Sequence, residues 1–167
     1  MSGVVNERDE VDEVVDAWRR ERPDLDVAPM EVLSRVNRLA RHLERARSTA
    51  FSAHGLDSWE FDVLAALRRA GWPYQLSPGR LIKETMVTSG TMTNRVDRLA
   101  ARGLVTRDDD PADRRGVLVS LTATGRAAVD AALADLLSAE RAILGPLADD
   151  EQAQLAKSLR GLLVPYA

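Results

Sequence analysis

The 167-residue sequence contains no cysteine, which excludes disulfide bonds, thiolate catalysis and redox sensing through cysteine. It also lacks any apolar run that approaches the ~18 residues needed to span a bilayer. The amino-terminal stretch MSGVVNERDEVDE is acidic and has no apolar segment of the kind found in signal peptides. We therefore expect a soluble, cytoplasmic protein without a membrane partner.

Histidine is scarce, and the signatures of common enzyme classes are missing. His42 and His54 are the only histidines, and on or beside one predicted helix their spacing does not place them on a shared face. No metal-binding spacing, nucleophile elbow, phosphate-binding loop or dinucleotide fingerprint occurs. Acidic pairs such as Asp9 and Glu10 are better explained as charges at helix starts. We expect no enzymatic activity, no catalytic residue, no metal and no cofactor.

The net charge of −3 is unevenly distributed along the chain. The segment 1–31 contains ten acidic residues and four arginines, whereas residues 32–167 contain sixteen acidic and nineteen basic residues. The first segment therefore carries −6 and the remainder +3. Because local charge rather than the overall isoelectric point decides phosphate binding, a nucleic-acid partner is compatible with this composition.

Helical periodicity extends over most of the chain and is interrupted by one pair of β-prone segments. Ser89 is expected to cap a helix that reaches about Arg102, and Asp149 with Gln152 forms a capping-box pattern before the last helix. The other predicted helices are Val11–Arg20, Met30–Phe51, Ser58–Arg69, Pro78–Thr85 and Thr124–Leu144. Two predicted strands, Leu104–Arg107 and Val117–Leu121, flank a charged loop and form a hairpin.

This order of elements is typical of a winged helix-turn-helix. The predicted fold class is mainly α with a small β-hairpin wing, namely a winged helix-turn-helix plus a helical dimerisation layer. A dimerisation layer is expected because isolated terminal helices would otherwise leave their apolar faces exposed. We predict a single domain over 1–167, with the DNA-binding part at 56–122 and dimerisation helices at 1–55 and 123–167.

One face of the helix that follows Ser89 is suited to contact bases. At about 100° per residue, Met92, Val96 and Leu99 form a narrow apolar stripe. The opposite side carries small and polar residues, which are Asn94, Asp97, Arg98 and Ala101, with Gly90 and Thr93 towards its edge. Short polar residues near a helix N-terminus suit insertion into a major groove, where Asn or Arg can read base edges. The alternative is an ordinary solvated face.

The loop DDDPADRRG, residues 108–116, places four aspartates around two adjacent arginines. Asp113 lies two residues before Arg115, close enough to hydrogen-bond its guanidinium or the neighbouring backbone. A guanidinium held in this way loses less side-chain entropy on binding. The acids would then position Arg114 and Arg115 for backbone phosphate or a narrow minor groove. The alternative is an exposed turn whose ion pairs contribute little.

Two stretches of this region resemble the MarR family of bacterial transcription regulators. DPADRRGVLVSLTATG, residues 110–125, resembles the family's wing signature, and SGTMTNRVDRLAARGLVTR, residues 89–107, resembles its recognition helix and first wing strand. The resemblance implies a homodimer that binds a palindromic operator in double-stranded DNA, with Arg114 and Arg115 at the minor groove. The candidate DNA contacts are Ser89, Gly90, Thr91, Thr93, Asn94, Arg98, Arg107, Asp113, Arg114 and Arg115.

The stretch DAWRRERPDLD, residues 16–26, resembles a urate-responsive subgroup of that family, and within it the actinobacterial regulators of trans-aconitate methyltransferase. The subgroup uses a Trp, an Asp and an Arg at positions that match Trp18, Asp62 and Arg95. Arg95 lies only ~60° from the apolar stripe, so it can turn inward. We therefore predict a binding site for a small anionic metabolite, either a tricarboxylate such as trans-aconitate, citrate or cis-aconitate, or urate.

Two alternatives remain open at this point. Arg95 and Asp62 could form a purely structural ion pair, with Trp18 simply packed. The whole chain could also be a constitutive DNA-architectural or protein-interaction module that has no effector. The sequence favours a ligand-responsive regulator, most often a repressor in this family, over both.

Overall fold

The computed structural model describes residues 8–110 and 113–166, apart from the side chains of residues 113–115. This part of the chain is mostly helical with one small antiparallel sheet, which confirms the predicted fold class. The helices are α1 (Glu10–Glu21), α2 (Pro29–Ser52), α3 (Ser58–Arg69), α4 (Pro78–Thr85), α5 (Ser89–Ala101), α6 (Ala123–Leu144) and α7 (Asp149–Leu163), followed by a 3-10 turn at Val164–Tyr166. The strands are β1 (Gln75–Leu76), β2 (Val105–Asp110) and β3 (Asp113–Leu121).

The chain divides into two compact units, Met1–Arg45 and Ala46–Ala167. In the first unit, α1 buries Val11 and Val15 together with Val27, a small apolar seam against which Met30 packs. Polar contacts between the helices add to this small apolar seam, although each exposed ion pair contributes little.

Arginine–carboxylate pairs supply those polar contacts in the first unit. Arg35 donates through Nε to Asp9 Oδ2 (2.8 Å) and through Nη2 to Asp12 Oδ1 (2.8 Å). Asp9 is also the N-cap of α1, so its carboxylate accepts backbone N–H groups as well. The guanidinium and these N–H groups together lower the pKa of Asp9 to about 2. Two further pairs, Arg38 with Glu10 and Arg19 with Glu31, join the same helices.

Helix α3 lies at the centre of the second unit, where it packs against α6, α4 and β3. Phe61 stacks on Phe51 at the end of α2, with ring centroids 4.0 Å apart. The buried side chains of α3 come from most of its length and are Glu60, Phe61, Val63, Leu64, Ala65, Ala66 and Leu67. A helix with apolar side chains on several faces is one that neighbours cover on several sides.

The sheet has three strands in the order β1–β3–β2, whereas the sequence predicted a two-stranded ribbon. Strand β1 pairs with β3 through Gln75 opposite Ser120 and Leu76 opposite Val119. A strand of two residues is too short to show the alternating pattern from which strands are predicted. The side-chain amide of Gln75 also donates to Ser120 Oγ (2.9 Å). Strand β2 also extends into the aspartate run to Asp110, because ladder pairing with β3 overrides weak β propensity.

Two helix caps differ from the sequence prediction. Thr88, not Ser89, is the N-cap of α5, and its hydroxyl accepts the backbone N–H of Thr91 (3.4 Å). For α7 the cap is Ala148, whose backbone N–H donates to the Glu151 carboxylate (2.7 Å). In both cases the helix begins one residue earlier than the predicted capping pattern. Gln152 instead donates its side-chain amide to carbonyls at the end of α6 and in the following turn.

The terminal helix α7 has no buried residue, although it carries several leucines. Its exposed apolar side chains, with those of the turn that follows, are Leu155, Leu159, Leu162, Leu163, Val164 and Tyr166. A second exposed apolar row lies on α2, at Val32, Leu33, Val36 and Leu39. In the described residues, no helix combines the length and apolar character that a membrane span requires.

Gly125, in the first turn of α6, allows that helix to approach the hairpin closely. A Cβ at this position would lie 2.1 Å from the backbone carbonyl oxygen of Leu104. Because the obstacle is backbone, it cannot rotate away as a flexible side chain would. A Cβ at Gly90, in the first turn of α5, would have no neighbouring group from the rest of the described chain within 4 Å.

We expect Gly125→Ala to lower the free energy of unfolding by about 1–3 kcal/mol, the usual cost of overpacking. Gly90→Ala is the matched control, since both glycines follow a threonine cap. That substitution should leave stability unchanged or raise it by up to ~1 kcal/mol, because alanine is the better helix former. Urea denaturation followed by circular dichroism measures both. Equal stabilities for the two variants would contradict the close approach at Leu104.

Candidate nucleic-acid interface

Helix α5 is fixed on the second unit by a stripe of buried side chains. Met92, Val96 and Leu99 are all buried, as the helical wheel predicts. Helix α4 precedes it and packs against it, and Met86 links the two in a left-handed conformation (φ 54°). Side chains rarely adopt this conformation outside tight turns. Helix, tight turn and helix thus form a helix-turn-helix whose second helix turns its other side to solvent.

The solvent side of α5 carries small and polar groups at its N-terminal end. Ser89, Gly90, Thr91, Thr93, Asn94 and Arg98 are all exposed. The Thr91 hydroxyl lies 2.9 Å from that of Thr88, and the Thr93 hydroxyl donates to the Ser89 carbonyl (3.2 Å). The amide of Asn94 and the guanidinium of Arg98 are the groups on this surface with the geometry to hydrogen-bond base edges.

Arg107 on β2 forms an ion pair with Asp97 on α5. Sequence reasoning placed Arg107 among the DNA contacts and Asp97 on the opposite side of α5 from the apolar stripe, but did not pair them. The two are brought together by the turn at Gly103, which has a left-handed φ of 68°. This ion pair connects β2 to the exposed side of α5.

The indole of Trp59 on α3 lies beneath two guanidinium groups of α5. The Arg98 carbon Cζ is 4.7 Å and the Arg95 Cζ 5.4 Å from the ring centroid. An open cleft of about 450 Å³ is lined by Trp59, Gly90, Thr91, Asn94, Arg95 and Arg98. No role was assigned to Trp59 from the sequence. The spacing of aromatics gave no signal that could have paired it with α5.

Glu60, next to Trp59, fixes the other end of α5. Its side chain is buried and accepts from the guanidinium of Arg102, which follows α5, and from the backbone N–H of Asp57 (2.9 Å). Arg102 also donates through Nη2 to the Gly55 carbonyl (2.7 Å). The hydrogen bond to Glu60 raises the pKa of Arg102. The C-terminal end of the recognition helix is therefore anchored to the start of α3.

The charged loop is described only in part. The Asp108 carboxylate accepts hydrogen bonds from the hydroxyls of Thr106 (3.1 Å) and Ser120 (3.1 Å), so this acid joins the two strands. The predicted positioning of arginines by Asp113 concerns Asp113, Arg114 and Arg115, whose side chains lie outside the described residues. Their roles stay predictions.

The three residues predicted to bind an anion have separate surroundings. Asp62 forms an ion pair with Arg47 at the end of α2 (3.2 Å), while Arg95 lies over Trp59. The structural Arg95–Asp62 pair considered from the sequence is thus not the contact that Asp62 makes. Trp18 belongs to the first unit and is 46% exposed. A shared ligand site for Trp18, Asp62 and Arg95 stays a prediction.

Comparisons with known proteins agree with this geometry. Residues 54–116 match the family model described as the MarR family. The chain is 40% identical over 146 residues to the HTH-type transcriptional regulator PecS of Dickeya dadantii (strain 3937), covering 87% of this chain and 88% of PecS.

Several solved structures share the fold, and two of them follow. One is a mutant MarR from E. coli complexed with operator DNA, with a TM-score of 0.67 and 28% identity over 83% of this chain and 99% of that chain. The other is Bordetella bronchiseptica BpsR, with a TM-score of 0.56 and 32% identity over 77% of this chain and 98% of that chain. DNA binding by BpsR is regulated by 6-hydroxynicotinic acid.

We expect Asp97→Asn to tighten binding to double-stranded DNA, because it removes an anion from the exposed face of α5 and frees the charge of Arg107. The dependence of log K on log salt concentration should steepen by about 0.9 for each protomer. Fluorescence anisotropy titrations over a salt series measure it.

Asp130→Asn is the matched control, since Asp130 pairs with Arg68 in a similarly exposed ion pair between α3 and α6. This variant should leave the slope unchanged. A slope for Asp97→Asn equal to that of the control would show that the Asp97–Arg107 pair lies away from DNA.

Proposed function

The chain belongs to the MarR family of transcription regulators, and from that premise we propose a homodimeric, ligand-responsive repressor of a palindromic operator. The observation that carries the proposal is the α5 surface, where exposed polar groups at the N-terminal end lie opposite a fully buried stripe. An α-helix presented in this way fits the width of a major groove. The relatives are transcription regulators rather than enzymes.

Contacts with DNA divide into two proposed groups. Asn94 and Arg98 would read base edges, while Ser89, Gly90 and Thr91 at the helix N-terminus approach phosphate, where backbone N–H groups favour an anion. Other contacts, proposed from the sequence and its resemblance to the family, are Thr93, Arg107 and the wing residues Asp113, Arg114 and Arg115. The operator-bound relative supports double-stranded DNA as the partner.

Homodimerisation is supported by the apolar side chains that the single chain leaves exposed on α7 and α2. Monomeric soluble proteins rarely expose contiguous apolar rows of this kind. We propose that segments 1–55 and 123–167 form the dimer layer and that 56–122 form the reading head. A two-fold dimer would bind half-sites one helical turn apart, about 10 base pairs from centre to centre.

The effector proposed is a small metabolite anion that Arg95, Asp62 and Trp18 would bind. Arg95 supports this role because it is half-buried on a helix whose other polar groups face solvent. An anion paired to Arg95 would shift the reading helix and favour a dimer whose two reading heads no longer match the spacing of the half-sites. BpsR, whose DNA binding is regulated by 6-hydroxynicotinic acid, supports the class of ligand. Trans-aconitate, citrate and urate are the compounds that the sequence resemblance favours.

The wild-type protein should select a palindromic duplex from a random DNA library and bind it as a dimer, as measured by sequencing and by light scattering of the complex. Arg98→Ala and Arg115→Ala should each weaken binding to the selected duplex by ~1–3 kcal/mol. Arg20→Ala, on the exposed side of α1, is the control and should leave it unchanged. Selection of no duplex, or tight binding to one isolated half-site by a monomer, would refute the proposal.

Titration of trans-aconitate, citrate and urate into the complex with the selected duplex should release the DNA for at least one compound. In Arg95→Ala the midpoint for that compound should rise by at least tenfold, once folding and dimerisation have been verified by circular dichroism and light scattering. Arg22→Ala, which breaks only a local pair with Asp24, should keep the wild-type midpoint. Release with an unchanged midpoint in Arg95→Ala would place the pocket elsewhere, and no release at all would favour a constitutive DNA-binding module.

A further inference from the structure

Trp59 is in contact with two cationic side chains that belong to the recognition helix. Arg95 and Arg98 stand three residues apart on α5, so their charges lie on neighbouring positions of one helix surface. Two guanidinium groups at this spacing repel each other and would spread apart in water. Both instead lie over the same indole, with their Cζ atoms 5.4 Å and 4.7 Å from its centroid.

The indole of Trp59 is itself held by contacts with the core and with the start of α3. Trp59 is half-buried and packs against the core of the second unit. Its Nε1–H donates to Asp57 Oδ2 (3.2 Å), at the cap of the same helix. The adjacent Glu60 joins this helix start to Arg102 at the end of α5. The ring is thus held by packing and by one hydrogen bond, and the longer arginine side chains lie over it.

We infer that Trp59 is a positioning residue for DNA recognition, which holds Arg95 and Arg98 in a fixed, pre-ordered arrangement beside Asn94. The inference rests on the proposed DNA-binding function. Tryptophan is the aromatic side chain that binds cations most strongly through its ring face. A guanidinium already stacked on it loses less rotamer entropy when it meets a base or phosphate. Cation–π contact therefore contributes to DNA affinity although the indole need not touch DNA.

A packing role alone makes a different prediction. If Trp59 only fills space above the core, leucine should serve nearly as well as tryptophan, and the arginines should not matter to the result. If the ring positions the arginines, phenylalanine should substitute in part because it keeps an aromatic face. The effect of losing the ring should also disappear once the arginines are gone.

The experiment measures affinity for the duplex selected by the wild-type protein, with Trp59→Leu, Trp59→Phe and the control Trp72→Leu. Trp72 is 85% exposed and lies outside the α5 cleft, so its variant should bind within twofold of wild type. Two side chains that are ordered before binding correspond to roughly fivefold to a hundredfold in affinity. We expect Trp59→Leu to weaken binding about tenfold and Trp59→Phe by about twofold to threefold, with thermal unfolding showing that both fold.

A double-mutant cycle separates positioning from packing. In an Arg95→Ala, Arg98→Ala background, Trp59→Leu and Trp59→Phe should change affinity by less than about twofold, because the ring then has no cation to hold. If Trp59→Leu does not fold, the same cycle with Trp59→Phe gives the result. Full loss in that background, or wild-type affinity for Trp59→Leu, would overturn the inference. A wild-type protein that selects no duplex would instead refute the proposed function.

Discussion

The arrangement of the reading helix depends on the ion pair between the buried carboxylate of Glu60 and the guanidinium of Arg102. In the described residues Glu60 is the one charged side chain in the interior, and only 2% of that side chain is exposed. Such a group is tolerated only when hydrogen bonds and an opposite charge compensate the lost hydration. Arg102 and the Asp57 backbone N–H supply that compensation, and in doing so they join the end of α5 to the start of α3.

The other contacts of α5 follow from this anchored geometry. The buried stripe fixes the rotation of the helix about its axis, and Glu60 fixes its far end. The charges that remain outside are ordered as well, since Arg98 and Arg95 lie on Trp59 and Asp97 pairs with Arg107. A surface with ordered charges discriminates between sequences better than one with freely moving lysines and arginines, because less entropy is lost in the correct complex.

Local chemistry in the sequence was enough to predict the helices, the hairpin and the buried side of α5. Met92, Val96 and Leu99 recur with the helical period, and such a pattern predicts that they share one buried face of the helix. Strand β1 escaped prediction because two residues show no period at all. The contact of Trp59 with the arginines of α5 was not predicted, for another reason. That contact joins distant segments, so it depends on the packing of α3 against its neighbours rather than on spacing.

The attachment of α1 has a consequence for the conditions that the protein tolerates. The pairs that join it to α2 are made by Arg35, Arg38 and Arg19, and guanidinium groups keep their charge far into the alkaline range. At the acid end, Asp9 keeps its charge down to about pH 2. The Arg35–Asp9 pair therefore persists in mild acid, whereas added salt screens the exposed pairs of α1. The contact between Arg35 and the cap of α1 thus depends more on ionic strength than on mild acidity.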